Sequence, residues 1–293
     1  MIDETQSSTG IIWLVGAGPG AADLITVRGL NLLRQADAIV CDDLVNRELL
    51  EHCRPTAELH FVGKRAGCHS ASQSQINALL VALGSAGKKV VRLKGGDPLI
   101  FGRAGEEMQA LREAGIPYEI VPGVTAATAA SAAAGLPLTH RDHSSAVVFV
   151  TGHQCAGNTT ALDWGSLATL RATLCFYMGV RRLPEIAANL AGHGMAASMP
   201  VAVISEASLP SQKIFTGTLA EAEALVAGLA GQPALIVVGE VVRLASFSSL
   251  LPELRAGAVS GTPLNLVIAR SPARRVDEAI HMDRHGSLER SSR

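Results

Sequence analysis

The residues best suited to chemistry in this sequence stand together at residues 90–107, VVRLKGGDPLIFGRAGEE. The stretch opens as an apolar run typical of a buried strand, and Gly95, Gly96, Asp97 and Pro98 end that strand. Glycines let the backbone approach a ligand closely, and open α/β sheets bind ligands at the carboxyl ends of their strands. We therefore interpret this loop as part of a ligand site. A plain β-turn before a capped helix is the alternative for this loop taken alone.

A second glycine-rich loop, GAGPGA at residues 16–21, follows an apolar run near the start of the chain. It is similar to the dinucleotide fingerprint, and Asp42 and Asp43 stand where that fold places a ribose-binding acid. In that fold a helix begins inside the loop and holds the pyrophosphate with its free N–H groups. Here Pro19 removes one donor, and the helical pattern begins only near Thr26. A compact ligand without phosphate fits this loop better than a dinucleotide. An NAD-dependent dehydrogenase is therefore only the alternative function, and a non-catalytic binding module is a third hypothesis.

The elements that position these loops follow from the apolar pattern of the first half. Short apolar runs predict strands at residues 11–15, 38–41, 59–62, from 90 onwards and at 118–121. Helical spacing predicts helices at residues 26–35, from 72 to the glycine at 84, and at 105–114. Strands that alternate with helices indicate an α/β fold with a parallel sheet and right-handed crossovers.

The second half repeats this alternation after an extended segment at residues 135–141. Residues 214–217 are typical of an antiparallel strand, so the second sheet is expected to be mixed, and a helix is predicted at 219–229. We predict an N-terminal α/β domain at residues 11–137 and a C-terminal α/β domain at 138–251. Residues 252–293 lose the periodicity and become polar and basic, which predicts a disordered tail.

Composition argues against several kinds of function. Charged residues make up only 17% of the chain and the formal net charge is -1, so neither nucleic acid nor an anionic membrane is an expected partner. No apolar run reaches the length of a membrane span, and the polar start is no signal peptide. Five cysteines without CxxC spacing indicate free thiols in a reducing cytoplasm. The spacing of His140, His143 and His153 matches no helical ligand pair, so no metal site is predicted.

Several segments, read together, resemble the uroporphyrinogen-III C-methyltransferases, a branch of the tetrapyrrole methylases. They are IIWLVGAGPGAADLIT, VGKRAG, VVRLKGGDPLIFGRAGEE, PGVTAA, GLPLTHRD, FYMG and GHGM. The resemblance covers residues 11–247, and the FGR and THR segments together indicate this branch. Bifunctional relatives carry a dehydrogenase and chelatase half before the first strand. Because this chain starts almost at that strand, we expect the stand-alone form.

The resemblance implies two α/β domains in the tetrapyrrole methylase fold, with S-adenosyl-L-methionine held between them, and a homodimer. It implies two methylations of uroporphyrinogen III, through precorrin-1 to precorrin-2, with S-adenosyl-L-homocysteine as the other product. Sirohaem, cobalamin and haem d1 all derive from precorrin-2. Motif by motif, the implied cofactor contacts are Pro19, Gly95, Gly96, Asp97, Ile100, Thr125, Ala126, Met178 and Ala207. Asp42 and Lys64 are implied as proton acceptor and proton donor.

The substrate carries eight carboxylates, so its site should present cations. Arg suits bidentate carboxylate binding, and three arginines in loops after predicted elements are expected to bind substrate: Arg65, Arg103 and Arg141. Solvated surface cations are the alternative for each of them. The chain departs from the family pattern at Asp43, which replaces a basic residue, and at Ala104, which replaces a glycine. The first change is expected to weaken carboxylate binding.

Two carboxylates compete for the role of proton acceptor. A proton must leave the macrocycle after methylation, which calls for a positioned carboxylate. The resemblance points to Asp42, at the end of a predicted strand, and Asp43 beside it would serve an electrostatic role. Glu106 shares a helix face with Arg103 at i, i+3, which would put a base beside a substrate-binding cation. We favour Glu106, with a first-turn partner of the helix dipole as its alternative role.

Overall fold

The computed structural model describes residues 10–63, 71–152, 161–227, 229 and 231–245. Lys64, Arg65 and His153, and the tail predicted at 252–293, lie outside these ranges. Within them the chain forms two five-stranded sheets, one from strands between residues 11 and 121 and one from strands between 147 and 238. The α/β class expected from the sequence is confirmed.

The first sheet is parallel throughout, as predicted, with strand order β3-β2-β4-β1-β5. Its strands are β1 (Ile11–Gly16), β2 (Ala38–Cys41), β3 (Glu58–Phe61), β4 (Lys89–Lys94) and β5 (Tyr118–Val121). The central strand β4 lies between β1 and β2. Because all strands run the same way, the loops that follow β1, β2, β4 and β5 share one edge of the sheet.

Helices cover both faces of this sheet. Helix α1 (Val27–Leu33) packs on one face, and α2 (Gln73–Ser85) and α3 (Ala104–Glu113) pack on the other. Thr26 caps α1, accepting the Gly29 N–H at 3.1 Å, and a capping box starts α2, so both predicted starts are correct. Among the helices that the structure describes, none is long and apolar enough to cross a membrane.

The second sheet is mixed, with strand order β6-β7-β10-β8-β9. Its strands are β6 (Val147–Thr151), β7 (Thr173–Tyr177), β8 (Pro200–Ser205), β9 (Lys213–Thr218) and β10 (Ala234–Val238). Only the β6–β7 pair is parallel, and β9 is the antiparallel strand predicted at 214–217.

Three short helices cover one face of the second sheet: α5 (Trp164–Thr169), α6 (Leu183–Gly192) and α7 (Ala222–Val226). Helix α7 is shorter than the helix predicted at 219–229, because residues Leu219–Glu221 form a 3₁₀ turn before it. Helix α5 was not predicted, because its six residues are too few for a clear helical period.

Helix α4 (Ala126–Ala134) covers the other face of the second sheet. Ala127, Ala130 and Ala134 pack there against buried residues that include Cys175 and Val237. The boundary placed after residue 137 stays a prediction. Helix α4 precedes that point in the sequence, yet it packs on the second sheet, and both sheets belong to one compact unit.

Candidate functional site

Three loops at the carboxyl edge of the first sheet meet through glycine backbone. Gly96 donates its N–H to the Gly18 carbonyl at 2.7 Å, and Gly18 donates to the Gly96 carbonyl at 3.3 Å. Gly123, after β5, lies against both loops. A Cβ added to Gly123 would lie 2.3 Å from the Gly96 carbonyl oxygen and 2.7 Å from Gly16 Cα. No side chain fits at this contact, which explains why each loop contributes glycine.

Asp97 ties the loop after β4 to the loop after β5. Its Oδ2 accepts the Gly123 N–H at 2.9 Å, and its Oδ1 accepts the Leu99 N–H at 2.8 Å. Each carboxylate oxygen has a second lone pair that can accept from a ligand. Asp97 therefore organises the loop backbone and can still bind a ligand group.

The turn into α4 lies close to Gly96 and leaves room there for about a methyl group. A Cβ added to Gly96, at a φ of 69°, would meet nothing nearer than Ala126 N at 3.9 Å and Thr125 Cα at 4.0 Å. Tyr177 holds this turn in place, since its hydroxyl lies 2.7 Å from Thr125 Oγ1 and accepts the Ala127 N–H at 3.1 Å. Burial raises the pKa of Tyr177, so the hydroxyl stays protonated. Tyr177 therefore fixes the backbone at the start of α4, next to Gly96.

The loop after β8 packs on the glycine-rich loop after β1. A Cβ added to Gly20 would lie 2.7 Å from the Ala207 carbonyl oxygen, and Ser208 Oγ accepts the Ala21 N–H at 3.0 Å. This contact brings Ala207 next to the loop that contains Pro19. Residues from both sheets therefore contribute to one site.

Strained backbone marks the same site. The non-glycine residues at positive φ in the described ranges are Phe101, Arg103, Met178, Glu206 and Ser208. All lie in the loops after β4, β7 and β8. Such conformations cost about 1–3 kcal/mol each and cluster at functional sites. The sequence carries no signal for them, because none is a glycine or an asparagine.

An apolar patch lies beside these loops, formed by the exposed side chains of Leu99, Phe101, Phe149 and Met178. The Tyr177 ring joins it, with its centroid 5.0 Å from that of Phe101 and 5.7 Å from that of Phe149. An open groove of about 310 Å³ continues from Phe101 along β6. Exposed apolar surface of this kind suits the apolar part of a ligand. The sequence analysis identified only Met178 of this patch.

Asp42 belongs to a charge cluster that it forms with Arg92, Lys94 and Glu107. Arg92 donates to Asp42 Oδ1 at 2.6 Å and to Glu107 Oε1 at 3.0 Å. Lys94 Nζ lies 3.0 Å from Glu107 Oε1 and 4.0 Å from Asp42 Oδ2. The Asp42 side chain is 31% exposed, whereas the other three are buried. Those three residues were not predicted as site residues, although charges at alternate positions of an apolar strand indicate buried partners.

Glu106 lies outside this cluster, in the pair expected from its i, i+3 spacing. Arg103 donates to its two carboxylate oxygens at 2.7 and 2.8 Å, and both side chains are more than half exposed. The hydrogen bonds from Arg103 lower the pKa of Glu106 below its ordinary value of 4.5. Glu106 is therefore ionised near neutral pH but is a weaker base than a free glutamate.

The remaining candidates are less constrained by the described residues. Ile100 is half-buried, and its N–H donates to the Asp97 carbonyl at 3.3 Å. Arg141 is exposed in the turn after α4. Asp43 lies against Gly63, where an added Cβ would be 2.2 Å from the Asp43 carboxyl carbon. Within the part of the chain that the structure describes, no group of three or more His, Cys, Asp or Glu side chains could hold a metal.

Residues 12–223 match the family model of the Tetrapyrrole (Corrin/Porphyrin) Methylases. The siroheme synthase 1 of Serratia proteamaculans (strain 568) is 53% identical over 240 residues, which are 82% of this chain and 50% of that protein. The siroheme synthase 1 of Yersinia enterocolitica is 53% identical over 243 residues, 83% of this chain and 51% of that protein. The chain thus spans about half the length of the curated relatives it matches.

Two solved structures have the same fold. Uroporphyrin-III C-methyl transferase from Thermus thermophilus, in complex with S-adenosyl homocysteine, superimposes with a TM-score of 0.69 and 37% identity. That match covers 80% of this chain and 100% of the other. A cobalt precorrin-4 methyltransferase superimposes with a TM-score of 0.70 and 31% identity, covering 81% of this chain and 98% of the other.

Proposed function

This chain belongs to the tetrapyrrole (corrin/porphyrin) methylase family, and from that premise we propose that it methylates uroporphyrinogen III. The methyl donor is S-adenosyl-L-methionine, and two methylations lead through precorrin-1 to precorrin-2, a precursor of sirohaem, cobalamin and haem d1. One observation carries the proposal: the glycine loops after β1, β4 and β5 meet at the same end of the parallel sheet as Asp42, whose carboxylate is 31% exposed. The names of the siroheme synthase relatives and of the Thermus neighbour support this substrate.

The loops fit S-adenosyl-L-methionine better than a dinucleotide. The bare glycine backbone at residues 95–96 lets a compact ligand approach closely, and the Asp97 carboxylate complements an ammonium group or a ribose hydroxyl. Only a three-residue 3₁₀ turn, Ala22–Leu24, follows the first glycine loop, and helix α1 begins at Val27. The loop therefore has no α-helix N-terminus to hold a pyrophosphate. The proposed contacts are Pro19, Gly95, Gly96, Asp97, Ile100, Thr125, Ala126, Met178 and Ala207. When bound, the cofactor supplies an electrophilic methyl group on sulfonium.

Substrate binding is proposed for the apolar patch and the surrounding cations. The Phe101 ring, braced by Tyr177, offers a face for the macrocycle. Arg103 and Arg141 are exposed and can bind propionate or acetate groups, with Arg65 as a further candidate. Asp43 adds a negative charge near the site and is expected to reduce the affinity for carboxylates.

The proposed contribution of the chain to the chemistry is alignment and proton removal. The attacked pyrrole carbon is already electron-rich, so the site must hold it in line with the methyl group and exclude water. The sequence favoured Glu106, but we propose Asp42 as the proton acceptor, because its carboxylate is 31% exposed and is held by the buried Arg92. Glu106 is the second candidate, since Arg103 would bring a substrate carboxylate close to it. Lys64 stays the proposed proton donor.

The proposal is tested with purified protein, uroporphyrinogen III and S-adenosyl-L-methionine under anaerobic conditions. Mass spectrometry should detect a singly and then a doubly methylated product. Calorimetric titration should give binding of S-adenosyl-L-homocysteine and none of NAD. Binding of NAD alone would favour the dehydrogenase alternative, and sedimentation would test the proposed homodimer.

A further inference from the structure

Glu107 is a buried carboxylate whose two oxygens have very different surroundings. Its Oε1 accepts from Arg92 and Lys94 at 3.0 Å each and from Gln73 at 3.4 Å. Its Oε2 has no hydrogen-bond partner among the described residues, and the side chain is 0% exposed. A carboxylate in such a place is tolerated only because two cations adjoin it.

The position of these cations connects Glu107 to the site. Arg92 and Lys94 alternate on β4, so both side chains point to the sheet face that α3 covers. Strand β2 lies beside β4, and Asp42 follows its last residue. Lys94 is also the residue before Gly95. Glu107 on α3 therefore holds the two cations that contact Asp42, and one of them is continuous with the loop assigned to the cofactor.

We propose that Glu107 is a positioning residue for methylation: it fixes Arg92 and Lys94, which hold the Asp42 carboxylate at the exposed edge of the cluster. This inference rests on the proposed function. A purely stabilising role explains the cluster less well, because buried ion pairs contribute little net stability compared with apolar residues of similar volume. Positioning explains why a buried network ends in one partly exposed acid.

The groups around the cluster define its electrostatics. Burial and the adjacent Arg92 charge lower the pKa of Lys94, while Glu107 and Asp42 act in the opposite direction. Burial raises the pKa of the neighbouring Cys41 thiol to about 11, so that thiol stays neutral. Other charged groups near the cluster, among the residues that the structure describes, include Arg47 in the 3₁₀ helix Arg47–His52, Glu106 on α3, and Asp43 beside Asp42.

The first test replaces Glu107 by Gln. The Glu107→Gln variant should lose about 10²-fold in kcat, the scale of a misplaced reacting group, with unchanged KM and unchanged affinity for S-adenosyl-L-homocysteine. Glu113→Gln is the matched control, because Glu113 lies on the same helix, is exposed and accepts a hydrogen bond from the uncharged Gln109 at 2.8 Å. Parent-like kcat in folded Glu107→Gln would overturn the proposal.

A second test uses the acidic limb of the kcat/KM profile against pH. Lys94→Met removes a cation beside Asp42 and should move this limb to higher pH, by about one unit. Glu107→Gln removes a competing anion and should move it to lower pH. The double variant loses both charges, so its acidic limb should return close to that of the parent. If Glu107→Gln alone does not fold, the comparison of the double variant with Lys94→Met still tests the effect of Glu107. Shifts in the same direction, or none, would contradict the proposal.

A third measurement separates this inference from the proposed function, because it needs no substrate. The carbon-13 signal of the Asp42 carboxyl group, assigned with Asp42→Asn, should shift in Glu107→Gln and stay constant in Glu113→Gln. An unchanged signal overturns the positioning role. A shifted signal in a protein that does not methylate uroporphyrinogen III would reject the proposed substrate and keep the coupling between Glu107 and Asp42.

Discussion

Glu106 and Glu107 are consecutive residues in the first turn of α3, yet their carboxylates lie in opposite surroundings. Glu106 is exposed and paired with Arg103, whereas Glu107 is buried against Arg92 and Lys94. Consecutive residues of a helix point about 100° apart. One helix start can therefore serve both the substrate side of the site and the cluster that contains Asp42.

The choice between the two proton acceptors is decided by single-turnover methylation with saturating ligands. We expect Asp42→Asn to bind cofactor and substrate but to lose about 10²–10⁴-fold in rate, the usual scale for a lost acid–base group. Glu106→Gln should cost much less. The reverse order of the two losses would assign the role to Glu106.

The Glu106–Arg103 pair should also have a characteristic pH dependence. The pKa of Glu106 is lowered in the folded protein, so the pair contributes stability above pH 4.5, and this is lost as pH falls through the folded pKa. Because the pair is exposed, the contribution is only about 0.2–1 kcal/mol. Urea unfolding of parent and Glu106→Gln should differ by this amount at neutral pH and converge in acid. A difference that grows in acid would contradict this sign.

Asp97→Ala should weaken the cofactor site through its loops. The substitution removes the acceptor for the Gly123 and Leu99 N–H groups as well as a ligand acceptor. Hydrogen bonds to a charged group are worth about 1.5–3 kcal/mol, or about 10–100-fold in affinity. Calorimetry with S-adenosyl-L-homocysteine measures the loss. Equal affinity in the variant would reduce Asp97 to a turn residue.

Gly123→Ala should disrupt the meeting of the three loops. The added methyl group would lie 2.3 Å from the Gly96 carbonyl oxygen, which is backbone and cannot rotate away. Overpacking of this kind costs about 1–3 kcal/mol. Gly105→Ala is the control, because nothing lies within 4 Å of its added Cβ and alanine favours the helix by about 0.5–1 kcal/mol. In thermal unfolding, the midpoint temperature should be lower than the parent's for Gly123→Ala and higher for Gly105→Ala.

The strands of the first sheet and their parallel direction could be predicted, because each is a short apolar run closed by glycine, proline or charge. In the second sheet the antiparallel strand β9 was predicted, but the antiparallel direction of β10 was not. A contact between the loops at residues 16–20 and 95–97 is consistent with the predicted sheet, because parallel strands bring both loops to the same end of it. The capped starts of α1 and α2 followed from Thr26 and Ser72. These features depend mainly on local sequence, and for that reason they could be predicted from it.

Features that depend on contacts with residues far away in the sequence could not be predicted. The alanines of α4 predict close packing but carry no information about which sheet receives them. The left-handed backbone of Phe101 and Met178 is imposed by their surroundings, not by residue type. Glu107 and Glu106 are the same residue in adjacent positions, and only the fold separates the buried one from the exposed one.

The packing of α4 has a consequence for anyone who wishes to study the two halves separately. A fragment that ends at residue 137 would keep α4 without its sheet and expose Ala127, Ala130, Ala134 and Leu136 to water. The complementary fragment would uncover the apolar face around Val237. Both fragments would then expose complementary apolar surfaces and tend to associate. A cut before Thr125 keeps the helix with the sheet that it covers.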